Sequence, residues 1–107
     1  MGICDFLKSS DINRGVEECR TTDGALLLDV RTPEEYRDSH IPGSENIPLL
    51  QLEELYSVVE KEDTALYVYC YSGSRSRMAA EQLIDMGYTN VHNIGGIVSY
   101  RGKVERQ

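Results

Sequence analysis

No apolar stretch of the 107 residues runs beyond a few positions, which excludes the membrane helix of about 20 residues that a bilayer demands. Basic residues are few. Eleven Lys and Arg against 18 Asp and Glu leave a net charge of −7. Such a chain has no basic face for general nucleic-acid binding or for docking on anionic lipid. The acidic excess reads as a solvated surface that keeps the chain soluble. The three cysteines, Cys4, Cys19 and Cys70, form no Cys-x-x-Cys pair, and two isolated histidines complete no zinc pattern. No metal or cofactor is expected. Met1 to Asp5 has no basic region leading into an apolar one, so no secretory signal is visible. Phe6 stands where a myristoylation pattern needs Ser or Thr. An odd cysteine count without a signal fits a reducing cytoplasm better than a disulfide scaffold.

What is present suits a compact soluble fold. The length allows one domain, residues 1–107, and is too short for two. Ile3 to Leu7 reads as a short edge strand. Ser9 or Ser10 can cap a helix running to about Arg20, in which Cys19 falls in register with Ile12 and Val16 and so reads as core. Thr22-Asp23-Gly24 is a turn. Ala25 to Val30 is a buried strand, since Leu26-Leu27-Leu28 shows no alternation. Thr32, Pro33 and Glu35 together form a cap, a first-turn proline and a capping box for a short helix ending near Ser39. Two prolines and a glycine keep Ile41 to Pro48 irregular, with a short strand at Glu45 to Ile47. A helix is expected over Leu50 to Glu60, with Leu52, Leu55, Tyr56 and Val59 on one face. A strand follows at Ala65 to Tyr69, and another at Asn90 to Ile94 before Gly95-Gly96 and a weak helix from about Ile97. Strands and helices alternate, so the expected class is α/β: a mostly parallel sheet with helices on both faces.

The segment with most chemical content is Cys70-Tyr71-Ser72-Gly73-Ser74-Arg75. It lies between the apolar run Ala65 to Tyr69 and a helical pattern over Ser76 to Met86, where Ala79, Ala80, Leu83 and Ile84 share a face and Gly87 suits the C-terminal cap. A helix N-terminus carries unpartnered N–H groups and partial positive charge, and so attracts anions. Gly73 lets the backbone curl inward, and Arg75 adds a permanent charge. A cysteine opening such a loop is expected to have a stabilised thiolate, which is the nucleophilic form. Cys70 is therefore the candidate nucleophile, with Tyr71, Ser72, Gly73, Ser74 and Arg75 as the candidate binding cradle. Ser72, Ser74 and Ser76 can donate hydroxyl hydrogen bonds within the loop, Ser74 can also cap the helix, Arg77 reads as a solvated charge, and Arg75 either holds an anion or braces the loop. Asp29 and Arg31, at the C-terminal edge of their strand, are the supporting pair. His40 reads as a loop anchor and His92 as structural or exposed.

Cys70-x-x-Gly73-x-Arg75 resembles the active-site loop of the rhodanese family of sulfurtransferases. Leu28-Asp29-Val30-Arg31-Thr32-Pro33-Glu34-Glu35-Tyr36, His40-Ile41-Pro42-Gly43-Ser44-x-Asn46-Ile47-Pro48 and Gly95-Gly96 are similar to further family motifs, in the same order. The resemblance implies a rhodanese-like fold and a persulfide on Cys70, loaded by a donor such as thiosulfate and discharged onto a thiophilic acceptor. It also implies a small anionic or a protein partner, and a monomer is the default. Many relatives carry a Trp shortly after Gly-Gly. Here Tyr100 stands nearby and no Trp occurs at all, which bears on the packing of the last helix; the sequence ends soon after, at Gln107, so that helix is expected to be short or frayed. Two rivals remain. A non-catalytic or sulfur-carrier interaction module would use the same fold. A cysteine phosphatase needs five residues between Cys and Arg, whereas four lie between Cys70 and Arg75, leaving less room for a tetrahedral phosphate.

Overall fold

The computed structural model describes residues 11–107. The expected strand at Ile3 to Leu7 and the expected caps Ser9 and Ser10 lie outside the described residues. Four strands, β1 (Leu26–Asp29), β2 (Ser44–Asn46), β3 (Leu66–Cys70) and β4 (Val91–Gly96), form one parallel sheet in the order β2-β1-β3-β4. Around it lie α1 (Ile12–Arg20), α2 (Pro33–Asp38) and α3 (Ser74–Asp85), with 3-10 helices at Leu49–Ser57 and Ile97–Ser99.

Successive side chains of a strand point to opposite faces, and β3 is sorted accordingly. Tyr67 and Tyr69 join Leu27, Ile41 and Ile94 on one face, where Ile12, Val16 and Cys19 of α1 cover them. Leu66, Val68 and Cys70 join Leu28 on the other, covered by Leu52 and Leu55 of the first 3-10 helix and by Ala79 and Leu83 of α3. Helices thus lie on both faces. β3 is buried on both faces, and so is β1 beyond its half-buried first residue Leu26, which is why their sequences do not alternate. Leu28, Val68 and Leu83 are wholly buried, and each contributes roughly 2 kcal/mol of transfer free energy. Gly15 brings α1 against β4: a Cβ there would meet the side chain of Ile94.

Several elements differ from expectation for local reasons. The N-cap of α1 is Asp11, whose Oδ1 accepts the Asn13 N–H at 3.0 Å. A carboxylate there is both a capping acceptor and a negative charge at the positive end of the helix dipole. The helix expected over Leu50 to Glu60 is the 3-10 segment Leu49–Ser57, kinked at Gln51. Its buried Leu52 and Leu55 are three residues apart, the spacing that eclipses in a 3-10 helix. Tyr56 therefore does not share their buried face. It is half exposed, and its hydroxyl donates to the Met86 carbonyl at 2.8 Å. On α3 the buried stripe narrows to Ser76, Ala79 and Leu83, leaving Ile84 exposed.

The capping box of α2 forms as expected. Thr32 Oγ1 accepts the Glu35 N–H at 3.2 Å, and Glu35 Oε1 accepts the Thr32 N–H at 3.0 Å. β4 runs on through Gly95-Gly96, beyond the expected end at Ile94. The last helix is a single 3-10 turn, after which Tyr100 is extended. The chain then returns to pair with the loop after α2: the His40 and Glu105 N–H groups donate to each other's carbonyls at 2.8 and 2.9 Å. No helix among the described residues is long and apolar enough to cross a membrane.

Candidate active site

β3 ends at Cys70 and α3 begins at Ser74, so Tyr71 to Gly73 form the turn between them. Gly73 occupies the N-cap of α3 with φ of 109°, a left-handed conformation that costs a side-chain-bearing residue about 1–2 kcal/mol. This curl turns the Gly73 N–H back onto Cys70 Sγ at 3.0 Å. The first helical bond of α3 runs from the Arg77 N–H to the Gly73 carbonyl at 3.1 Å. The N–H groups of Ser74, Arg75 and Ser76 come before it and have no partner within the helix. Ser74 does not cap α3, because Gly73 holds the cap position and Ser74 already lies in the first turn. Tyr71 and Ser72 are exposed at the rim, whereas Cys70 is only 1% exposed.

Gly95-Gly96 fixes how the loop sits. The Tyr71 carbonyl accepts the Val98 N–H at 3.1 Å. A Cβ on Gly96 would collide with that carbonyl and come within 2.5 Å of Ser72 Cα. Only a residue without a side chain lets the end of β4 pass so close to the loop.

Beneath the loop lies a buried polar group that sequence reading did not assemble. Ser76 Oγ, in a fully buried residue, is 2.7 Å from Asn93 Oδ1, 3.1 Å from the Gly73 carbonyl and 3.5 Å from Cys70 Sγ. Asn93 Oδ1 also accepts the Gly95 N–H at 3.1 Å. The signal available was a polar Asn inside the last strand, two positions before the glycine pair.

Arg75 points to α2. Its Nη1 donates to Glu35 Oε1 at 2.7 Å and its Nη2 to Glu35 Oε2 at 3.0 Å. Arg75 thus ties the loop to the start of α2. The hydrogen bonds from Arg75 hold the Glu35 carboxyl down to about 2, against an ordinary 4.5. Arg77 is exposed. The capping-box reading of Glu35 was correct but partial, because the same carboxylate serves both the helix and the loop.

Asp29 and Arg31 form a buried pair at the C-terminal edge of β1. Arg31 Nη2 donates to Asp29 Oδ2 at 2.7 Å and to the Ser39 carbonyl at 2.6 Å, and Nε donates to Asp29 at 3.1 Å. Burial opposes the charge on Arg31, but the bonds to Asp29 outweigh it and the guanidinium pKa is raised overall. Asn46 Nδ2 donates to the Asp29 and Arg31 carbonyls at 3.0 Å each. His40 is buried, stacks on Tyr36 with centroids 3.8 Å apart, and bonds the Tyr36 carbonyl through Nδ1 at 2.7 Å. His92 stacks on Tyr67 at 4.6 Å. Among the described residues, no group of three His, Cys, Asp or Glu is placed to hold a metal ion.

Residues 12–103 match the family model described as "Rhodanese-like domain". The chain is 46% identical over 72 residues to "Thiosulfate sulfurtransferase PspE" of Escherichia coli (strain K12), covering 65% of this chain and 68% of that protein. It is 33% identical over 87 residues to "Thiosulfate sulfurtransferase GlpE" of Pseudoalteromonas translucida (strain TAC 125), covering 76% of this chain and 81% of that one. The solved structure "rhodanese with anions from E. coli" superposes with a TM-score of 0.73 at 36% identity, covering 78% of this chain and 99% of that chain.

Proposed function

The chain belongs to the rhodanese-like domain family and is a sulfurtransferase of the rhodanese type, and we propose that Cys70 is the nucleophile that carries the transferred sulfur. The observation behind this reading is the Gly73 N–H aimed at Cys70 Sγ at the N-terminus of α3. That geometry presents positive dipoles to a sulfur atom without a metal.

In the first step the Cys70 thiolate attacks the outer sulfur of a donor such as thiosulfate. A sulfur–sulfur bond forms to Cys70, the donor's own sulfur–sulfur bond breaks, and sulfite leaves with that electron pair. In the second step a thiophilic acceptor such as cyanide attacks the terminal sulfur, and the Cys70 thiolate departs. Charge balances in both steps, and no base is needed once the thiolate exists. Covalent storage divides one transfer into two, so ping-pong kinetics follow.

The burial of Cys70 gives the persulfide a geometric function. The added sulfur lies about 2 Å beyond Sγ, which moves the reactive atom outward from a residue that is itself almost inaccessible. There the negative terminal sulfur meets the N–H groups of Ser74, Arg75 and Ser76, which the helix leaves unpartnered. Arg75 acts first as a brace, since Glu35 occupies its guanidinium. Tyr71 and Ser72 form the rim that the donor and acceptor meet, and Asp29 and Arg31 hold the neighbouring strand end. We further infer a single domain acting as a monomer in a reducing compartment such as the cytoplasm, on either a small anion or a protein partner.

The test is intact mass after incubation with thiosulfate, for the native protein and for Cys70→Ala. The expected result is a gain of one sulfur atom in the native protein alone, reversed by cyanide. A gain that persists in Cys70→Ala overturns the assignment of the nucleophile.

A further inference from the structure

We propose that Ser76 and Asn93 form a positioning pair beneath Cys70, in which Asn93 holds the Ser76 hydroxyl proton until Cys70 becomes charged, and the hydroxyl then turns to donate to Cys70 Sγ. The proposal rests on Cys70 as the nucleophile, and it concerns how that sulfur is readied.

The argument is one of counting protons. Ser76 Oγ has one hydrogen and four neighbours: Asn93 Oδ1 at 2.7 Å, the Gly73 carbonyl at 3.1 Å, the Gly95 carbonyl at 3.4 Å and Cys70 Sγ at 3.5 Å. Three of these are oxygens that can only accept from it. The bond at the usual O–H···O distance is the one to Asn93. The orientation of the Asn93 amide is fixed independently, because the atom facing the Gly95 N–H at 3.1 Å must be its oxygen. That oxygen then has one lone pair for Gly95 and one for Ser76. With Cys70 as a thiol the chain of donors is complete: the S–H donates to Ser76 Oγ, and the Ser76 O–H donates to Asn93.

Losing the thiol proton breaks that order. Sγ can now only accept, and the Gly73 N–H at 3.0 Å satisfies one of its lone pairs. A hydrogen bond to an ionised sulfur is stronger than one to a neutral amide oxygen. The Ser76 hydroxyl need only rotate about its C–O bond to supply it. Asn93 keeps the Gly95 N–H, so the rotation strands no buried donor. In the persulfide, Sγ is neutral and the charge lies on the terminal sulfur. The hydroxyl then returns to Asn93, and the cycle can repeat.

The experiment is the pH dependence of Cys70 alkylation by iodoacetamide, in a Cys4→Ser background with labelling sites read by peptide mass. Access to Cys70 sets the plateau rate at high pH, whereas ionisation sets where the rate falls, so the two separate. Ser76→Ala is expected to slow alkylation at pH 7 about tenfold with an unchanged plateau, equivalent to one pK unit. Ser76→Thr keeps the hydroxyl and is expected to follow the native profile. Asn93→Ala removes the acceptor that holds the Ser76 proton in the thiol state alone, so it is expected to speed the reaction at pH 7 about threefold and to change nothing in a Ser76→Ala background, because it acts through Ser76. A Ser76→Ala profile that coincides with the native one overturns the proposal, as does an equal effect of Asn93→Ala in both backgrounds. Sulfur loading by thiosulfate, measured on the same variants, keeps this outcome distinct from failure of Cys70 as the sulfur carrier.

Discussion

Arg75 and Glu35, forty positions apart, share two parallel hydrogen bonds of 2.7 and 3.0 Å. The bidentate pair joins the Cys70 loop to the first turn of α2, and Glu35 Oε1 also accepts the Thr32 N–H at 3.0 Å. Both side chains are about one-third exposed, so solvent screens the attraction, and the geometry gives the pair its strength. A double-mutant cycle with Arg75→Ala and Glu35→Gln is expected to show a coupling of about 1 kcal/mol near neutral pH. Folding lowers the Glu35 carboxyl to about 2 from 4.5. The coupling is therefore fully present above about pH 4.5 and is lost as pH falls toward 2. Urea unfolding of the four proteins between pH 2 and 7 measures it. A coupling that stays constant across that range excludes the ion pair as its source.

Gly96 tests whether the loop depends on β4. In Gly96→Ala the new methyl would press on the Tyr71 carbonyl and on Ser72 Cα, backbone atoms that cannot swing aside as a side chain can. The loop must shift or β4 must bend, at roughly 1–3 kcal/mol. Because Tyr71 follows directly on Cys70, sulfurtransfer is expected to fall at least tenfold, beyond what the stability loss explains. Gly24→Ala serves as the control. Its positive φ makes it strained as well, but a Cβ there meets nothing and it lies far from the loop in sequence. Equal activity losses in the two variants would remove the loop-specific argument.

The architecture was legible because it rests on signals carried by short stretches. Leu26-Leu27-Leu28 and Leu66 to Tyr69 are continuous apolar runs, and Thr32-Pro33-Glu34-Glu35 holds a complete helix start. The strand-loop-helix turn that holds Cys70, Gly73 and Arg75 was legible for the same reason. Asn93, Ser76 and Glu35 have roles set by neighbours 17 to 40 positions away, and no local pattern records such pairings. The first 3-10 helix was missed because Leu52 and Leu55 suit an α-helix and a 3-10 helix alike. The role of Gly96 lies in a close approach that only the fold creates.

Asp29 and Arg31 bear on whether a buried ion pair stabilises. Both are essentially inaccessible, and Arg31 also holds the Ser39 carbonyl. Removing Asp29 alone leaves a guanidinium charge in the interior, so Asp29→Ala is expected to cost about 3–5 kcal/mol. The double substitution Asp29→Leu with Arg31→Met removes both charges and is expected to cost less than Asp29→Ala alone. Urea midpoints of the two variants decide this. If the double variant is the less stable, the bond from Arg31 to the Ser39 carbonyl and the bond from the Arg31 N–H to Asp29 outweigh the desolvation of the pair.

Cys19 offers a contrast with Cys70 that can be read at alkaline pH. It packs with Ile12 and Val16 on the sheet-facing side of α1, and burial raises its thiol to about 11 from 9.0, against a smaller opposing pull from Arg20. A thiol raised on folding favours the folded state while it stays protonated. The stabilisation is whole below pH 9 and disappears as pH rises from 9 to 11. Tyr36, Tyr67, Tyr69 and Tyr88 are raised as well, so alkaline unfolding of the native protein mixes several groups. The difference between the native protein and Cys19→Ala isolates one. Cys19→Ala is expected to be less stable at pH 7, because it leaves a small cavity. The gap should narrow by about 2 kcal/mol by pH 11, as ionisation penalises only the thiol. A gap that does not change with pH would mean that the folded state admits water to Cys19, so that the interface between α1 and the sheet is looser than its packing indicates.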